Sequence, residues 1–201
     1  MTTTNISPPV RNTGDDNVPL TPATVVTSPN IFAARSLAAL RIATGFIFLW
    51  AFLDKLIGLG YATTSDKSWF SGGSPTMGFL GHVSVGPLES FFHSIAGAGW
   101  ANAGFMAGLA AIGFAVTAGV ALRLSAIGGT ILMLLMWAAE WPMARFTSAG
   151  KPSGSNNPLV DYHIIYALAL IVVAATAAGA TWGLGKLWAS LPVVQKNSWL
   201  L

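Results

Sequence analysis

Three short stretches carry the side chains able to move protons. WAAEWPMAR sets Glu140 between Trp137 and Trp141 inside an apolar segment, and NNPLVDYHIIY sets Asp161 and His163 at the mouth of a long apolar run. FLDKLIG places Asp54 and Lys55 at the end of a third. Carboxylates and imidazoles held within reach of a substrate act as general acids and bases, a lysine attracts an anionic donor, and an indole flanks a planar ring. His163, Glu140 and Asp161 are therefore the candidate catalytic groups. Trp137, Trp141, Lys55 and Asp54 are the candidate cofactor-binding groups.

A structural reading competes with this one. Charges and Trp both mark a membrane interface, and Glu140 also reads as a helix-end carboxylate paired with Arg145 or Lys55. Asn157 suits an N-cap and Pro158 the first helical position, with Asp161 in the first turn favoured by the positive helix end. His163 fits this account least well. Spaced three residues from Tyr166 and four from Ala167, it is expected to face inward.

Other chemistries have less support. Cysteine is absent, which removes thiol catalysis, disulfides and thiolate-bound metals. His82, His93 and His163 include no pair on one helix facing a core, so no haem is expected. No tight His/carboxylate spacing marks a zinc site, and no metal is expected. A nucleophile-elbow sequence is missing, and GGSPT lacks the Lys-Ser/Thr of a P-loop, so it reads as a turn. The net charge of +3 comes with no basic cluster, which leaves nucleic-acid binding unsupported. Redox chemistry in such a chain must come from a bound organic cofactor, a haem, a quinone or another subunit.

The elements that must position these groups are membrane helices. Of 201 residues, 53% are hydrophobic and 8% charged, against about 25% charged in soluble domains. Residues 1–30, rich in Thr, Pro and Asn, lack the apolar core of a signal peptide and read as a flexible tail. The first span begins near Leu37 as LAALRIATGFIFLWAFLDKLIGL, with Arg41 and Asp54-Lys55 expected to snorkel from its ends. Residues 58–98 form a long connection, broken by Gly, Ser and Pro, with a short interfacial helix over Leu88–Ile95. Ala101–Leu122 and Leu124–Met143 form a tight hairpin, and Gly104, Gly108, Gly113 and Gly119 allow close helix approach. Leu159–Gly183 is the fourth span.

The expected fold is an all-α integral membrane protein: a four-transmembrane-helix bundle with a long structured loop between helices 1 and 2. Residues 1–34 form the tail, 35–190 the membrane domain and 191–201 a short C-terminal tail. Four spans put both termini on one side, with six basic residues there and four on the other. The positive-inside rule then predicts a multi-pass cell-membrane protein with both termini cytoplasmic. Beyond the tail, every acidic residue and every His falls on the outer side. Asp54-Lys55, Glu140 and Asp161/His163 are therefore expected to converge on an outer pocket roofed by the 58–98 loop.

LDKLIGLGY, WFSGGSPTMGFLG, NPLVDYHIIYALAL and AGATWGLGKLW, in that order, resemble the DoxX/DoxD family over roughly residues 35–190. The Asp54-Lys55, Gly73-Ser74-Pro75-Thr76 and Asp161/His163 segments lie in the matching stretches. The resemblance implies the small membrane subunit of a thiosulfate:quinone oxidoreductase, working beside a second subunit. Family members are also linked to membrane complexes handling oxidative stress. The expected function is a membrane subunit of a quinone-linked redox complex, surrounded by lipid and by other subunits. The alternative is a non-catalytic accessory or assembly subunit of a respiratory or redox complex.

Overall fold

A computed structural model describes residues 30–201, so residues 1–29 of the expected tail lie outside the described residues. Asn30 opens α1, Ile31–Ile57, its side chain accepting from the amides of Phe32 and Ala33. The helix thus starts at Ile31, inside the 1–34 segment expected to be the tail. After a long connection come α4, Gly99–Ala118, and α5, Leu122–Glu140. The sixth helix, α6, runs over Tyr162–Ala175, and α7 and α8 are the short Gly185–Ser190 and Pro192–Lys196. The connection itself holds α2, Met77–Leu80, and α3, Glu89–Ile95, the latter close to the expected interfacial helix. Among the described residues there is no strand, only an isolated bridge between Phe146 and Pro152.

Three helices, α1, α4 and α5, are long and apolar enough to cross a membrane. Their outward faces are oily: Phe46, Ile131 and Phe114 are each more than half exposed. An apolar surface of that extent marks contact with lipid or protein rather than water.

The fourth apolar segment differs from its expected span. The α6 helix has 14 residues, about 21 Å at 1.5 Å per residue. Ala177 adopts a left-handed backbone (φ 48°), and a 3₁₀ turn over Ala178–Ala180 follows. Non-glycine residues take that conformation at a cost, so the helix ends well before the Gly183 that composition suggested.

Packing is antiparallel in two well-joined pairs, α1 with α4 and α5 with α6. Glycines set the first contact. A Cβ on Gly45 would lie 2.5 Å from the Thr117 amide nitrogen, and one on Gly113 would lie 2.6 Å from that of Leu49. Gly104, Gly108 and Gly128 behave differently: a Cβ on any of them would meet nothing within 4 Å. They line an open apolar groove of about 670 Å³ between α4 and α5. The core between the pairs is built from Phe48, Leu109, Ile112, Met133 and Leu170.

Arg41 does not snorkel. It is fully buried, and its Nη1 donates to the carbonyls of Val116 (2.7 Å) and Thr117 while Nη2 donates to that of Trp182 (2.8 Å). The last carbonyls of α4 run short of intrahelical donors and carry the negative end of the helix dipole; the Gly119 amide reaches Val116 and the Leu184 amide reaches Ala118. A buried guanidinium answers both needs and ties in the turn after α6. Residues 191–201 are also folded rather than trailing. Val194 is buried, Arg123 Nη1 donates to the Ser198 carbonyl and Trp188 Nε1 to that of Leu200.

Candidate functional site

The α5 helix ends at Glu140, where Trp141 turns into a left-handed conformation (φ 42°) ahead of Pro142. The start of α6 is set by Asp161, not by Asn157. Asn157 makes a separate turn, accepting from the amides of Leu159 and Val160. Asp161 Oδ1 then accepts from the amides of His163 (3.0 Å) and Ile164 (3.3 Å), which makes Asp161 the N-cap. The Asn-Pro pair suggests a helix beginning four residues earlier. Two capping residues compete here, and the one nearer the inward-facing His wins.

Antiparallel packing of α5 on α6 brings the two ends together. One oxygen or nitrogen from each of Glu140, Asp161 and His163 lies within 4.8 Å of the others. His163 is 1% exposed, and its Nδ1 sits 2.9 Å from Asp161 Oδ2. Against a carboxylate acceptor Nδ1 is the donor, which leaves Nε2 on the other edge of the ring. That Nε2 is buried and has no hydrogen-bond partner. Glu140 is exposed, and Tyr162 Oη donates to its Oε1 at 2.5 Å. Among the described residues no Lys or Arg pairs with a carboxylate, and His163 with Asp161 is an imidazole–carboxylate contact. Neither Arg145 nor Lys55 neutralises Glu140.

Beside this cluster is a cavity of about 460 Å³. Glu140, Asp161 and Tyr162 line it directly, and His82, Ser155 and Asn157 face them from the loops. His163 stands behind Asp161, outside the lining. Loop segments hold the cavity's shape. Ser155 Oγ donates to the Pro142 carbonyl at 2.6 Å, and Ser148 Oγ to that of Ser84 at 2.6 Å.

The remaining expected residues do not converge here. Asp54 is 1% exposed and accepts from the amides of Tyr61 (3.3 Å) and Ala62 (3.0 Å). It folds the chain leaving α1 back onto the helix end. Lys55 lines a separate cavity of about 550 Å³ with Asp66 and Lys67. Trp137 and Trp141 meet edge to face at 5.6 Å, but neither lines the Glu140 cavity. Trp137 Nε1 donates to the Leu159 carbonyl at 3.1 Å, and a Cβ on Gly86 would reach Trp141 Cβ at 2.9 Å. Both indoles brace the segments that frame the cavity.

The Gly-Ser-Pro-Thr turn has a structural anchor. Ser74 Oγ, the Thr76 amide and Thr76 Oγ1 all donate to Asn102 Oδ1 on α4, at 2.7–3.0 Å. Tyr162 and His82 at the site, and Asn102 and Arg41 in its scaffold, were not singled out as anchors from sequence. Tyr162 and Glu140 are 22 residues apart, and only the pairing of α5 with α6 brings them into contact.

No family model, curated protein or solved structure matches the chain.

Proposed function

We propose that the chain is the membrane subunit of a quinone-linked redox complex of the DoxX/DoxD kind, and that the cavity beside Glu140 takes the quinone headgroup. In this reading α6, extended by the turns at both its ends, is a fourth transmembrane element of a bundle in the cell membrane. The bias of basic residues supports an orientation with both termini in the cytoplasm. The observation that carries the reading is the meeting of four proton-exchanging side chains at the ends of two apolar helices. Glu140, Tyr162 and Asp161 line one cavity, and His163 is joined to it through Asp161.

Reducing a quinone to its quinol takes two electrons and two protons, one proton to each ring oxygen. The electrons come from a partner subunit that oxidises the donor, thiosulfate in the reading favoured by the resemblance. This cysteine-free chain supplies the protons. Glu140 and Tyr162 touch the cavity and deliver to one oxygen. Asp161 delivers to the other and is recharged through His163. General acid catalysis of this kind is worth roughly 10²–10⁴-fold in rate.

The test is thiosulfate-dependent quinone reduction by the complex co-purified in mild detergent. Loss of turnover in H163A and E140A supports the reading, and unchanged turnover in both overturns it.

One observation favours a second reading, an accessory subunit that packs partner helices. The α4/α5 groove is walled by glycines where an added Cβ would meet nothing within 4 Å, and small residues suit helix association in membranes. Co-purification with redox subunits and full activity in both variants would favour it.

A further inference from the structure

We infer that the open groove between α4 and α5 holds the polyprenyl tail of a neutral-headed, single-chain lipid, a prenylated quinone whose ring sits in the Glu140 cavity. This assignment rests on the quinone reading and extends it from the ring to the tail.

The two spaces adjoin. The Glu140 cavity of about 460 Å³ and the groove of about 670 Å³ share one wall residue, Phe79 of α2. Phe79 rests on the small core of Val83, Phe92 and Ala139. The α2 turn is itself pinned to α4: Thr76 donates from its amide and its Oγ1 to Asn102 Oδ1, and that Oγ1 accepts from the Gly97 amide at 3.1 Å. On one side of Phe79 stand two carboxylates and a phenol. On the other the lining carries no charge and no hydroxyl beyond Thr76 and Ser125. A polar recess that adjoins a long apolar trough fits an amphiphile with a compact head.

The trough suits one hydrocarbon chain. Along α4 it runs from Trp100 to Ala115, about 22 Å at 1.5 Å per residue. Its volume spread over that length leaves a mean section of roughly 30 Å², under half of the ~80 Å² of a helix 10 Å across. A helix would stand mostly outside it, and a two-chained lipid would leave one chain outside. Gly104, Gly108 and Gly128 keep the walls free of side chains.

Charge selects the head. Glu140 and Asp161 line the cavity and no Lys or Arg does, so the phosphate of a phospholipid is repelled there. Tyr162, Ser155, Asn156 and Asn157 offer hydrogen bonds to a neutral ring bearing oxygens.

The experiment uses the full-length chain, alone in phosphatidylcholine nanodiscs and in the co-purified complex. A polyprenyl quinone with a photoreactive diazirine on its tail is cross-linked and the labelled peptides are mapped. Labels are expected on α4 and α5 between Trp100 and Met136, competed by unlabelled polyprenyl quinone and not by added phosphatidylglycerol. G108L fills the groove and is expected to cut labelling roughly tenfold, as overpacking of a contact does; G104L is the second variant should G108L fail to fold. Labels spread over the lipid-facing residues of α1 and α6, labelling displaced by phosphatidylglycerol, or undiminished labelling in the folded variants overturns the assignment. Tail labels found only on a partner chain also overturn it, in favour of helix packing at the groove. Groove labelling in a complex that reduces no quinone sustains the tail site and overturns the proposed function alone. Quinone reduction that depends on Glu140, with the tail labelled elsewhere, does the reverse.

Discussion

Arg41 and the Glu140 cluster are both ionisable sites in an apolar bundle, at opposite ends of it, and they are built on opposite terms. Around Arg41 the charge is answered: carbonyls from the end of α4 and the 181–182 turn accept from both terminal nitrogens. Around Glu140 it is not. Two carboxylates share a tyrosine, an imidazole and two backbone amides, with no Lys or Arg among the described residues as a partner. An ionisable group in a membrane helix is expensive wherever it sits. Where most of its donors are answered, as at Arg41 with Nε alone unpartnered, it holds helices together. Where they fall short, exchange of a proton or an ion remains open. The difference predicts that substitutions at the Arg41 end damage folding and that those at the Glu140 end damage activity.

The largest effect is expected from R41A. It removes the guanidinium from the carbonyls of Val116, Thr117 and Trp182, of which Val116 keeps the Gly119 amide, and empties a fully buried site; the expected cost is about 1–3 kcal/mol for each buried carbonyl left without a donor. A large drop in melting temperature in detergent checks this. A melting temperature close to the parent's would erase the contrast between the two ends.

Next come the two glycine faces of α4. G113L forces a side chain against the backbone of Leu49 and is expected to destabilise by about 1–3 kcal/mol. G108L points into the open groove and is expected to leave the melting temperature unchanged or slightly raised, since Gly is the poorer helix former by about 1 kcal/mol.

Asp161 separates its two jobs under substitution. D161A removes an N-cap, worth about 1 kcal/mol, and leaves His163 Nδ1 without its acceptor. D161N keeps the cap and is expected to melt near the parent temperature while losing turnover. Equal turnover in D161N and the parent would reduce Asp161 to a helix start.

How much of this was legible in the sequence varies with the kind of information needed. The long apolar helices, the hairpin at Gly119 and the short helix near Leu88–Ile95 follow from local composition, and they stand within a few residues of expectation. The inward face of His163 followed from its spacing to Ala167, which is also buried. Asp54 was misplaced because a carboxylate at a helix end can aim at a pocket or cap the outgoing chain. The choice depended on Tyr61 and Ala62 folding back, which no periodicity reveals. Arg41 was read as snorkelling because its partners lie 75 or more residues away. The early end of α6 hangs on a left-handed alanine at 177, where no Gly or Pro gave notice.

The smallest structural change bears on the central claim most directly. E140Q removes one charge from an exposed side chain, so its melting temperature is expected to stay within about 0.5 kcal/mol of parental stability. The deciding measurement is quinone reduction by the co-purified complex carrying E140Q. The account predicts turnover lowered roughly tenfold or more with the complex intact. Parental turnover in that complex would contradict it.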